Sequence, residues 1–227
     1  MSRKIVADSS SIISLSDSCL LYLMREINRR EGIEFVIPKS VEFESVTRPL
    51  EIHRFELNAM RIKKGIDEGW ISVSELNEKS VNFVKEMKIK TNSLFFSGNR
   101  ALEIMHAGEL EALALAKEIN AVALLVDERT TRMLLEEPFR LKELIQRRQG
   151  VKVEAGKDAI AGLESFMPRL PVIRSTELIA FAFEKNLFNT ELLADFPSLQ
   201  AALYAVKFKG CAVSGEEIEK YLKSLGG

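Results

Sequence analysis

The chain has 227 residues, 46% of them hydrophobic and 29% charged, which is an ordinary globular composition with enough apolar mass for a substantial core. Acidic and basic residues number 33 and 32, a formal charge of −1, which excludes a surface that coats nucleic acid by bulk charge but allows a local basic patch. The opening MSRKIVADSS is no secretory leader and no apolar run reaches the length of a membrane span, so no membrane association and a cytoplasmic location are expected. Cys19 and Cys211 lie far apart in apolar surroundings and read as two isolated, buried thiols, which suits a reducing compartment.

In chain order, residues 4–7 form a short predicted strand leading to Asp8. SIISLSDSCLLYLMREINRR carries apolar residues at helical spacing and is closed by Gly32; IEFVIP is a second strand. The stretch from Lys39 to about Trp70 reads as mainly helical, with Pro49 and Gly65 as interruptions. WISVSEL suggests a third strand and residues 78–90 a helix, while TNSLFFSGN reads as a connection. A long helical stretch then runs to Asn120, followed by the strand AVALLV and, from ERTTRMLLEE, a helix before Pro138. GVKVEAG is a plausible strand, LESFMPRLP a connection, and STELIAFAFEKNLF and EEIEKYLKSLG read as amphipathic helices. Strands alternating with helices at this spacing predict an α/β fold of three layers, α/β/α, around a mainly parallel sheet. Ligands in such sheets gather at the carboxyl ends of the strands.

Asp8 and Asp127 both fall at those ends. Each also reads as a cap for the helix that follows. Glu44 lies about one helical turn beyond the second strand, with Glu42 as its local competitor. Glu109 falls in the first turn of the next helix, just after Gly108, where a carboxylate also suits the helix dipole. Glu111 is two residues on and faces another way on a regular helix. Glu128 exchanges roles with Asp127 if the strand ends one residue later. Several carboxylates around one crevice are costly without compensation. An oxygen-seeking divalent cation removes that cost, and Mg²⁺ or Mn²⁺ suits the donor set. Zinc is disfavoured, since His53 and His106 are far apart and no cysteine motif accompanies them.

IVADSSSIISL, IPKSVEFESV, HAGELEALALAKE and LLVDERTTR, in this order, resemble the PIN domain family, metal-dependent nucleases of α/β/α fold. The resemblance covers residues 4 to about 135 and implies Asp8, Glu44, Glu109 and Asp127 as the catalytic and metal-holding acids, with Ser10 beside the first. Glu128 is the alternative to Asp127. VIRSTELIAFAFEKNLF and GCAVSGEEIEKYLKSLG extend the likeness toward the archaeal and bacterial branch related to toxin-type PIN proteins. The chain is longer than the small toxins, with the extra length mainly around residues 50–100 and 138–170. A PIN-like core over 1–150 and a C-terminal extension over 151–227 packing on it are expected.

The implied activity is hydrolysis of RNA phosphodiester bonds by a metal-activated water, with no side-chain nucleophile. Ser10 then orients a carboxylate or the water. Arg129 and Arg132 are candidate phosphate contacts, with surface ion pairing as their other reading, and Lys39 is a weaker one. RNA is the expected partner, and the resemblance adds a homodimer and a regulatory protein as further expectations. The alternative is a non-catalytic PIN-like protein that binds RNA or serves assembly. A small-phosphate hydrolase fits less well: DSSS replaces the Asp-x-Asp of an aspartate-nucleophile phosphatase, and no glycine-rich phosphate loop follows the first strand.

Overall fold

The computed structural model of the chain describes residues 3–150, 152–155, 160, 162–163 and 166–225. Its centre is a five-stranded, wholly parallel sheet built from β1 (Arg3–Ala7), β2 (Ile33–Pro38), β3 (Ile71–Ser74), β6 (Ala123–Leu125) and β8 (Val172–Ile173), in the order β3-β2-β1-β6-β8. Ile5 pairs with Phe35 on one side and with Ala123 on the other, so β1 lies at the middle of the sheet.

Period-two alternation along the strands divides the core. Ile5, Ala7, Phe35, Ile37 and Leu125 face one side, where they pack with α1 (Ser9–Asp17), α2 (Tyr22–Glu31), α4 (His53–Asp67), α9 (Ser175–Glu184), α10 (Phe196–Phe208) and α11 (Gly215–Ser224). Val6, Val36, Leu124 and Val126 face the other, against α5 (Glu78–Asn92), α6 (Ala107–Glu118), α7 (Arg129–Glu136) and α8 (Pro138–Gln149). This is the three-layer α/β/α architecture expected from the alternating elements. The sheet and the first of these cores draw on residues from both sides of position 150. β4 (Phe95–Ser97), β5 (Arg100–Ala101) and β7 (Glu154–Ala155) form a separate small antiparallel sheet.

Several local expectations are corrected. The single helix after Asp8 is two, because Cys19 adopts a left-handed backbone with φ 58° between α1 and α2. That turn also exposes Cys19, so only Cys211 is buried; both thiols are free. Gly65 does not interrupt α4. A Cβ there would lie 2.6 Å from the Trp70 ring, so the glycine lets the indole close against the helix. Residues 91–99 contain the end of α5 and strand β4 rather than a plain connection. The helix ending near Asn120 begins only at Ala107, since residues 100–106 leave β5 in extended or irregular backbone. β8 and α10 had no counterpart in the sequence reading. Of the expected strand GVKVEAG, β7 is formed, and residues 151 and 156 lie outside the described residues, as do residues 164 and 165 of LESFMPRLP.

α3 (Lys39–Glu42) leaves β2 and runs directly into a wider π-helical turn, Phe43–Thr47, which carries Glu44. The carboxyl ends of β1, β2 and β6 thereby lead into Asp8, the Glu44 turn and Asp127. Among the described residues, no helix is long and apolar enough to cross a membrane.

Candidate functional site

Asp8 is 3% exposed and stands at the N-cap of α1. Its Oδ2 accepts from the Ser10 amide at 3.2 Å and the Ser10 hydroxyl at 2.8 Å. Its Oδ1 is equally buried and has no hydrogen-bond partner. Capping and site chemistry are therefore not exclusive here, because one oxygen caps the helix and the other is left over. Burial pushes the Asp8 carboxyl above the ordinary range; its contacts with Ser10 and the Ser9 amide oppose the shift, and the charge of Glu44 adds to it.

Glu44 reaches this crevice from the π-helical turn, where its Oε2 accepts from the Ser9 hydroxyl at 2.8 Å. Both of its carboxylate oxygens lie 3.0 Å from the position a Cβ would take on Gly108. The missing side chain at Gly108 is what lets α6 approach Glu44 this closely. One residue later, Glu109 reaches back to accept the His106 amide at 2.6 Å and also accepts the Thr131 hydroxyl of α7 at 2.6 Å. Burial raises the Glu109 pKa to about 7 despite those two hydrogen bonds, and the charges of Asp8 and Glu128 raise it further.

Asp127 has different surroundings. It is fully buried, and its Oδ1 accepts the Ser175 amide at the start of α9 at 2.7 Å. Its Oδ2 accepts the hydroxyls of Ser175, at 2.8 Å, and Ser14. The Cys211 thiol lies against the same carboxylate, and burial together with that negative charge pushes the thiol pKa up. Asp127 therefore ties β6 to α1, α9 and the loop carrying Cys211. Its amide donates to the Ser10 hydroxyl at 3.2 Å, so the main chain of Asp127 and the carboxylate of Asp8 share one serine.

Glu128 caps α7 through the Thr131 amide at 2.8 Å and lies 3.9 Å from Arg148. Its charge is felt at Glu109. Electrostatically coupled pairs thus link Asp8 to Glu44, Asp8 to Glu109, and Glu109 to Glu128, while the oxygens of Asp127 are taken up by serines.

Of the expected basic contacts, Arg129 is exposed, Arg132 is bound to Glu136 and the Ala212 carbonyl, and Lys39 is paired with Glu75. His106 supplies a backbone amide at the N-cap of α6, and exposed His53 pairs with Glu56. The sequence reading did not find Ser9, Thr131, Ser14 or Ser175. The serine run after Asp8 was visible, but helical geometry alone decides that Ser9 faces Glu44, Ser10 faces Asp8 and Ser14 faces Asp127.

A family model described as a PIN domain matches residues 4–137, more than half of the chain and the whole stretch that carries these acids. The chain belongs to the PIN domain family, a nuclease-type fold. No curated protein and no solved structure matches the chain significantly.

PIN domains typically use divalent metals. Among the described residues, no three His, Cys, Asp or Glu side chains are gathered as a metal-ion group. The donor chemistry nevertheless fits such an ion: all the groups are oxygen donors, Asp8 Oδ1 is buried without a partner, and burial disfavours the charged forms of Asp8 and Glu109. The carboxylates are meanwhile held by the hydroxyls of Ser9, Ser10 and Thr131.

Proposed function

We propose that the protein is a divalent-metal-dependent ribonuclease whose centre is formed by Asp8, Glu44, Glu109 and Glu128, with Mg²⁺ or Mn²⁺ as the ion. The observation that carries this reading is the buried, unpartnered Oδ1 of Asp8 beside two further acids. Such an ion, when bound, supplies an acidified water and offsets charge on the phosphate oxygens. The chain supplies position and electrostatics. Ser10 fixes Oδ2 of Asp8 and so aims Oδ1; Ser9 draws Glu44 toward the same crevice; Thr131 and the His106 amide set the rotamer of Glu109.

Without a metal, burial and neighbouring acids raise Glu109 to about 7, and a divalent ion held there would favour its charged form. The hydroxyls of Ser9 and Ser10 donate to carboxylates, which leaves them no role as attacking groups. Glu128 is preferred to Asp127 as the fourth acid because its charge reaches Glu109, whereas the Asp127 oxygens accept from Ser14 and Ser175.

The test is cleavage of a mixed RNA pool with and without Mn²⁺ by the wild type, Asp8→Asn and Glu109→Gln. Metal-dependent cutting that disappears in both variants supports the proposal. Cutting without metal, or full activity after Asp8→Asn, refutes it. RNA binding without any cutting favours the second reading, a protein that holds RNA. The hydroxyl contacts that already occupy Asp8, Glu44 and Glu109 support that second reading.

A further inference from the structure

Beside the acidic crevice lies a half-open cleft of about 1050 Å³ between α7–α8 and the loop from Gly210 to Ser214. Small-molecule pockets of this size are mostly apolar. This one is lined by six arginines: Arg129, Arg132, Arg140, Arg147, Arg148 and Arg174.

Two of the six build its wall. Arg132 and Arg174 both donate to the Ala212 carbonyl, at 3.3 and 3.2 Å, and are paired with Glu136 and with Glu177 and Glu217. The Ala212 amide in turn donates to the Asp127 carbonyl at 3.0 Å, so the wall is anchored to the end of β6.

The remaining four present charge to solvent. Among the described residues, Arg129 and Arg147 have neither an ion-pair nor a hydrogen-bond partner. Arg148 has only Glu128, at 3.9 Å, and Arg140 has an exposed pairing with Glu137. Exposed pairs of this kind contribute little and are easily exchanged for a stronger anion. The cleft also contains carboxylates, but Glu136, Glu137 and Glu217 are already matched to Arg132, Arg140 and Arg174, which leaves Glu143 against two unmatched arginines. Glu128 belongs to both places: it lines the cleft, and its charge is felt at Glu109.

We propose that this cleft is the track for the phosphodiester backbone of the RNA strand, with Arg147, Arg148 and Arg129 leading it to the acidic centre at its Glu128 side. Guanidinium forks suit phosphate oxygens better than ammonium groups do, and they position a strand without reading its sequence. A chain with no net positive charge thus concentrates its attraction for RNA at one face. The inference rests on the nuclease reading for what lies at the end of the track.

Binding of a short fluorescein-labelled single-stranded RNA of mixed sequence, followed by anisotropy in EDTA across a salt series, separates the two proposals because no cutting is needed. The double variant Arg147→Ala/Arg148→Ala is expected to bind about tenfold more weakly, with a salt slope shallower by about 1.4. Arg30→Ala, on α2 and outside the cleft, is the control and binds as the wild type does. Melting temperature checks the fold, and the single variant Arg147→Glu, on an exposed side chain, repeats the test. Unchanged affinity and slope in the arginine variants overturn the track even if the protein cuts RNA. Loss of binding in them supports the track even if no cutting is ever seen. A wild type that binds no RNA overturns it outright.

Discussion

Asp8 and Asp127 leave neighbouring strands at the same edge of the same sheet, yet their surroundings differ in kind. Asp8 has one oxygen matched by Ser10 and one buried oxygen matched by nothing. Asp127 has both oxygens matched, by the Ser175 amide and by the hydroxyls of Ser14 and Ser175. A carboxylate with all its acceptors satisfied is part of the framework, and one with an acceptor left over is available for a ligand. Ser10 connects the two, which explains how the framework acid can fix the orientation of the other.

The largest effect that separates these roles is expected from Asp127→Ala. It strands the Ser175 amide and two hydroxyls in a fully buried site, and a loss of about 1–3 kcal/mol of folding stability is predicted from chemical denaturation. Asp8→Ala removes an acid whose ionised form burial opposes but also the N-cap of α1, so it is expected to cost less than Asp127→Ala, at most about 1 kcal/mol. Equal destabilisation by the two substitutions would erase the distinction.

The acidic crevice also predicts a pH dependence. The Glu109 pKa is raised in the folded state to about 7, so its contribution to stability is fully present below the ordinary carboxylate pKa near 4.5 and is lost as pH rises through about 7. Without divalent ions, melting temperature should therefore fall between about pH 4.5 and 7, and Glu109→Gln should flatten that fall. Asp8, also raised, contributes in the same direction. A melting temperature that rises over this window in the wild type contradicts the burial argument.

The smallest change is expected at Gly108. Gly108→Ala places a methyl 3.0 Å from both Glu44 oxygens and forces that carboxylate to shift by a few tenths of an ångström. Mn²⁺ affinity measured by calorimetry should fall a few-fold, while the helix itself gains slightly from alanine. Unchanged affinity would remove Glu44 from the centre.

Four of the five strands of the parallel sheet, the helices around the four acids and the capping positions were legible because each carries a local signal: a short apolar run, helical spacing, or an acid at a helix start. β8 is two residues long and α10 follows an irregular stretch, so neither announced itself. At the site, the residue types and their order were visible in the sequence. The proposed division of labour between Asp127 and Glu128 was not, because it rests on Ser175, 48 residues beyond Asp127, meeting the end of β6 only once β8 and α9 have joined the sheet. The arginine cleft was only partly visible, through Arg129 and Arg132; Arg140, Arg147 and Arg148 look like ordinary surface charges of an amphipathic helix until α8 is placed against α7.

The most direct test of the account is Mn²⁺ binding by calorimetry to the wild type, Asp8→Asn and Asp127→Asn, each shown to be folded. The account predicts that Asp8→Asn loses the ion and Asp127→Asn keeps it. Retention of Mn²⁺ by Asp8→Asn together with its loss in folded Asp127→Asn would contradict the assignment of the two acids.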